Sequence, residues 1–144
     1  MRRAAPFLIL LARVGLGGLL IVAGGLKMRA PGAFAAEIAN YQLVPGLAPY
    51  LATVLPMIEL VLGAALLVAP RAWRQAAALA AAVLLAGFTT AVGSAYFRGI
   101  NIDCGCFGTG GGPITVVTLL RNLALLATAC ALVRFPASRA RRLG

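Results

Sequence analysis

The chain has 144 residues, the length of one domain, and 62% of them are hydrophobic against 11% charged, with a mean hydropathy of +0.97. That balance excludes an ordinary soluble globule. A net charge of +10 raises nucleic acid as a partner, but no basic face with interleaved aromatics exists. The arginines sit at the ends of apolar runs instead, the pattern that orients membrane proteins. The absence of histidine removes Ser-His, Cys-His and histidine–metal chemistry. Three cysteines cannot build a structural disulfide framework.

Four apolar runs reach the roughly 18–20 residues that a spanning helix needs. They predict an all-α membrane protein: a single four-transmembrane-helix bundle over residues 1–135, followed by a basic tail at 136–144. The first span is expected at 6–26. Arg2 and Arg3 before an apolar run look signal-like, but the run is long and has no clean A-x-A site, so it reads as a retained span. Arg13, Gly17, Gly24 and Lys27 fall on one helical face, a small and cationic stripe that must point into the bundle. Residues 28–48 form a loop in which Phe34, Ile38 and Tyr41 are spaced as a short amphipathic helix at the interface. Tyr41 and Tyr50 are expected at headgroup level.

The second span, at 49–69, carries Pro56, Glu59 and Gly63 on one side, with a kink expected at Pro56. Pro70 to Arg74 reads as a basic, aromatic interfacial turn. The third span, at 76–96, is alanine-rich, and Gly87 and Gly93 would let helices approach closely. A loop at 97–113 carries two cysteines, and Pro113 opens the fourth span at 114–135.

Orientation follows from the basic residues. Arg2, Arg3, Arg71, Arg74, Arg134, Arg139, Arg141 and Arg142 fall on one side, and Lys27, Arg29 and Arg98 on the other. The positive-inside rule places both termini in the cytoplasm, as in a bacterial inner-membrane protein, and the cysteine loop on the periplasmic side.

In that loop, Asp103-Cys104-Gly105-Cys106-Phe107-Gly108 puts two cysteines at i and i+2. The spacing admits a strained disulfide, a dithiol or half of a soft-metal site. Gly105 lets the backbone bend enough to bring the sulfurs together, and strained, exposed disulfides are the readily exchanged ones. Asp103 opposes thiolate formation, so activation would come from backbone N–H groups or a nearby cation. The outward placement favours redox chemistry. Cys130 stands about 24 Å along the fourth helix from its outer end, too far to resolve a disulfide at the loop, and is expected to pack as a small hydrophobe.

Arg13, Glu59 and Arg121 are charges inside spans, where each needs a partner or a function. Counting about 1.5 Å per residue from the outer helix ends puts Glu59 roughly 12 Å deep, Arg121 roughly 10 Å and Arg13 roughly 18–20 Å. Glu59 is therefore expected to pair with Arg121, with Arg13 as a second partner by reach. Lys27 is expected to snorkel to the interface.

These residues resemble the DoxX-like membrane proteins, most closely the MauE family. The matching positions are Arg13, Gly17, Gly24, Lys27, Pro31, Phe34, Tyr41, Leu43 and Pro45, then Pro56, Glu59 and Gly63. The most specific part is Cys104-Gly-Cys-Phe-Gly108 with Arg121-Asn122 downstream. The resemblance implies a four-helix membrane protein that works with a periplasmic thioredoxin-like partner to mature the disulfide-rich small subunit of methylamine dehydrogenase. Cys104 and Cys106 would carry the exchange. If electrons leave through quinone, Arg13, Glu59 and Arg121 would line its site. Competing readings are a non-redox membrane chaperone or docking subunit, and soft-metal binding at the paired thiolates. The metal reading is the weaker, since no further soft ligands cluster near the loop.

Overall fold

In the computed structural model, which describes residues 4–100, 102 and 112–135, the chain is built from five α-helices and no sheet among the described residues. They are α1 (Ala4–Arg29), α2 (Pro31–Asn40), α3 (Ala48–Val68), α4 (Arg71–Phe97) and α5 (Val116–Arg134), with a 3-10 turn at Pro45–Leu47 leading into α3. α1, α4, α5 and the run from Pro45 to Val68 are each long and apolar enough to cross a membrane, so the protein is a multi-pass membrane protein of the all-α class. Cys104, Cys106 and the 136–144 tail lie outside the described residues.

Local chemistry sets the boundaries. α1 stops at Arg29 because Pro31 has no N–H to continue the ladder; Ala30 turns the chain, and Pro31 starts α2 at the position where proline costs nothing. α3 runs through Pro56 and ends where Ala69 and Pro70 are both extended. Pro70 then caps α4, its carbonyl accepting from the Arg74 N–H at 2.9 Å. The segment expected to be an interfacial turn, Arg71 to Arg74, is therefore the first turn of α4, because two extended residues suffice to reverse an antiparallel pair. α5 begins at Val116 rather than near Pro113. Thr115 is its N-cap, its hydroxyl accepting from the Thr118 N–H at 3.4 Å while its own N–H donates to Thr118 Oγ1 at 3.3 Å.

α1 packs chiefly on α3, and α4 on α5; α3 also meets α4, and α1 meets α5, closing the bundle. The α1–α3 seam is the closer kind. A Cβ on Gly63 would stand 2.6 Å from the Gly17 carbonyl oxygen, and one on Gly24 would stand 2.8 Å from that of Pro56. The small stripe predicted on α1 does face inward. Gly87 and Gly93 do not work this way: a Cβ on Gly87 would meet nothing, and one on Gly93 only Leu119 at 3.8 Å. Alanines close the α4 side instead, with Ala77, Ala78, Ala81 and Ala82 packed beside Leu85, Ala129 and Leu132. Large apolar residues such as Val61, Val83 and Val117 point outward. In lipid that is the expected face, since tails are as apolar as valine and close packing, not burial from water, holds the helices together.

α2 lies against α3 at the end of the bundle where α1 stops. Phe34 is buried there, and Tyr41, expected at headgroup level, is buried against Val92 and Ala95. Tyr50 is exposed. Arg98 donates to the Tyr41 carbonyl, tying the end of α4 to the end of α2.

Candidate functional site

The end of the bundle covered by α2 holds its most unusual group. Lys27 and Glu59 are each 1% exposed, and Lys27 Nζ donates to Glu59 Oε1 at 2.5 Å. The expected Glu59–Arg121 pair is not formed, and Lys27 does not snorkel. The fold explains both. The close α1–α3 seam sets Gly24 directly against Pro56 and Glu59, so Lys27, one turn beyond Gly24, reaches the carboxylate. α3 also starts well beyond the end of α1, so equal distances along the two helices are not equal heights. α2 then folds over Lys27 and removes its route to water.

The surroundings fit a buried cation. Lys27 Nζ lies 5.3 Å from the centroid of Phe34 and 4.8 Å from that of Phe88, ring faces that attract a desolvated ammonium. Glu59 Oε2 is buried without a hydrogen-bond partner. A pair taken out of water this completely is stable only while both members are present.

The same two rings also line an apolar cleft of about 390 Å³, together with Tyr41, Leu55, Gly87 and Val92 among others. Beside it, the ends of the cysteine loop are drawn together: the Ile114 N–H donates to the Ile102 carbonyl at 3.2 Å. Ile100, Ile102, Ile114 and Leu119 pack on the cluster of Tyr41, Val92 and Ala95. The stem of the loop thus stands on the same end of the bundle as the ion pair, one to two turns of α4 away from Phe88.

The residues singled out from the sequence are distributed unequally over this geometry. Glu59 is at the centre. Arg13 lines a separate cleft with Arg71 and Arg74. Arg121 stands on α5 next to the buried Asn122. Cys104 and Cys106 lie outside the described residues. Cys130, expected to pack as a small hydrophobe, is exposed on α5, about 21 Å along the helix from Val116, where facing lipid satisfies a small hydrophobe as well as a core does. Lys27 as an ion-pair partner and Phe88 as its aromatic wall were not anticipated. The signal for Lys27 was present: it follows Gly24 by one turn on the small-residue face of α1, and Glu59 lies on the small-residue face of α3, so the two meet once those faces touch.

The chain matches the family model "Methylamine utilisation protein MauE" over residues 5–135. It is 37% identical over 130 residues to the methylamine utilization protein MauE of Paracoccus denitrificans, covering 88% of this chain and 69% of that one. It is likewise 37% identical over 125 residues to the MauE protein of Methylophilus methylotrophus, covering 83% of this chain and 64% of that one. This chain therefore spans about two thirds of the length of these relatives. No solved structure matches it. With a family match from one end of the bundle to the other, the chain belongs to the MauE family of methylamine utilisation proteins.

Proposed function

We propose that this protein is an inner-membrane thiol–disulfide exchanger, its termini cytoplasmic, that serves a periplasmic thioredoxin-like partner. Its task on this reading is maturation of a disulfide-containing protein such as methylamine dehydrogenase, in keeping with the methylamine utilisation that the relatives' names record. The observation that carries this reading is a Cys-x-Cys sequence on a loop whose stem is pinned at the end of the bundle opposite the arginine-rich turn between α3 and α4.

In the exchange, a partner thiolate attacks one sulfur of the Cys104–Cys106 disulfide and forms a mixed disulfide while the other sulfur leaves as thiolate. The partner's second thiolate then attacks its own mixed-disulfide sulfur, leaving the partner oxidised and Cys104 and Cys106 reduced. Two electrons pass to this protein, with protons taken up by the departing thiolates. A quinone fits the apolar cleft better than the trio expected from sequence. The cleft has the volume of a small-molecule pocket, Phe34, Phe88 and Tyr41 would hold the ring, and Glu59 is committed to Lys27. When bound there, a quinone supplies an acceptor for the electron pair and two protons released as the dithiol closes again.

The test replaces each cysteine with serine and follows maturation of the partner's substrate in cells. Cys104→Ser and Cys106→Ser should abolish it, and a partner lacking its resolving cysteine should be trapped as a mixed disulfide. Activity retained in both loop variants would overturn the redox reading and leave the loop as a docking element.

A further inference from the structure

The end of the bundle opposite the ion pair carries a second site, independent of the cysteine chemistry. There a cleft of about 340 Å³ is lined by Arg13 from α1 and by Arg71 and Arg74 from α4, with Ile9, Leu132 and Phe135 as part of its apolar wall. Arg74 is close enough for its charge to bear on Arg13. Arg13 Nε is buried with no hydrogen-bond partner. Helix geometry explains the convergence: side chains lean toward the start of their helix, so Arg13, about 14 Å along α1 from Ala4, reaches back toward the turn between α3 and α4.

Among the described residues no carboxylate offsets these charges. The sequence has three acidic residues: Glu59 is bonded to Lys27, Glu37 lies on α2 at the far end, and Asp103 lies in the cysteine loop. Arg71 and Arg74 also occupy the first turn of α4, the positive end of that helix, where a cation is disfavoured and an anion is favoured. The first-turn N–H groups have no side-chain cap. Like-charged guanidinium groups, a helix start and a missing acceptor are all satisfied by one phosphate, which guanidinium groups bind in bidentate fashion. Trp73, exposed on the same turn, marks the level of the headgroups, and the apolar wall below the arginines suits an acyl chain.

We propose that this cleft binds the phosphate headgroup of an anionic phospholipid, held by Arg13, Arg71 and Arg74. The site supplies the anion that the fold omits, and it fixes the start of α4 against α1.

Native mass spectrometry of the protein released from vesicles of phosphatidylcholine containing a minority of phosphatidylglycerol tests this. The wild type should retain phosphatidylglycerol in preference to phosphatidylcholine. Each of Arg13→Gln and Arg74→Gln should weaken that retention about fivefold, the effect of one basic residue near an anionic lipid. Arg74→Lys should keep most of it, and Arg29→Gln, at the opposite end, should leave it unchanged. Equal retention of the two lipids, or preference undiminished in Arg13→Gln and Arg74→Gln variants that retain wild-type helicity, would overturn the proposal. Displacement of the lipid by millimolar inorganic phosphate would also overturn it, by assigning the cleft to a soluble anion. If a glutamine variant fails to fold, the comparison of wild type with Arg74→Lys under rising salt takes its place: retention must fall with salt in both.

Discussion

The two ends of this bundle handle buried charge in opposite ways. At the α2 end, one lysine meets one carboxylate in a pocket closed by aromatic rings. At the other, three arginines line a cleft with no carboxylate among the described residues to meet them. The first arrangement balances its charges within the protein; the second requires something from outside. The difference teaches that formal charge inside a span is not one phenomenon. A closed pair fixes helix register, whereas an open cationic cluster is a site.

The comparison breaks most sharply at Glu59. Glu59→Gln leaves Lys27 buried without its counter-charge and should cost about 3–5 kcal/mol, seen as a loss of folded protein in thermal unfolding in detergent. Replacing both members, as in Lys27→Met with Glu59→Leu, should recover most of that loss, because an apolar pair of similar volume is often neutral. By contrast, Arg13→Gln removes a like-charge repulsion and should leave stability in neutral detergent unchanged or slightly higher.

The next effect tests why the closed pair forms. Gly63→Ala forces a Cβ to within 2.6 Å of the Gly17 carbonyl oxygen and should cost about 1–3 kcal/mol by prising α1 from α3. The same unfolding assay checks it. Gly87 is the control, since its Cβ would meet open space; Gly87→Ala should be neutral or stabilising by up to about 1 kcal/mol through helix propensity. A larger residue there sharpens the functional reading. Gly87→Leu should fill the cleft, slowing steady-state turnover with added quinone while leaving a single exchange with the partner intact. The smallest effect belongs to Cys130→Ser, expected within about 0.5 kcal/mol in the same assay and without loss of maturation.

Much of the architecture was legible from the sequence because lipid imposes a simple rule: a spanning segment must be long, apolar and helical. The inward stripe of Gly17 and Gly24 and the short helix around Phe34 and Ile38 could be read from period alone. The pairing of Glu59 could not be read from depth, because depth counted along each helix assumes that helices start level. α3 begins beyond the end of α1, and the covering of Lys27 by α2 is a tertiary event that no local pattern announces. The burial of Tyr41 is hidden for the same reason: a tyrosine near a helix end reads as exposed until neighbouring residues close over it. The arginine cleft was half visible. Arg71 and Arg74 were seen as interfacial and Arg13 as intramembrane, but only the backward lean of Arg13 joins them.

The proposed redox role requires that Cys104 and Cys106 exchange electrons as a pair. It is tested most directly by equilibrating the Cys130→Ser protein in lipid nanodiscs across a series of thiol–disulfide buffers and counting free thiols by mass tagging. A working redox pair gives one reversible transition in which both thiols appear together, a two-electron step. Thiols that stay reduced across the whole series, or that titrate independently of each other, would contradict it.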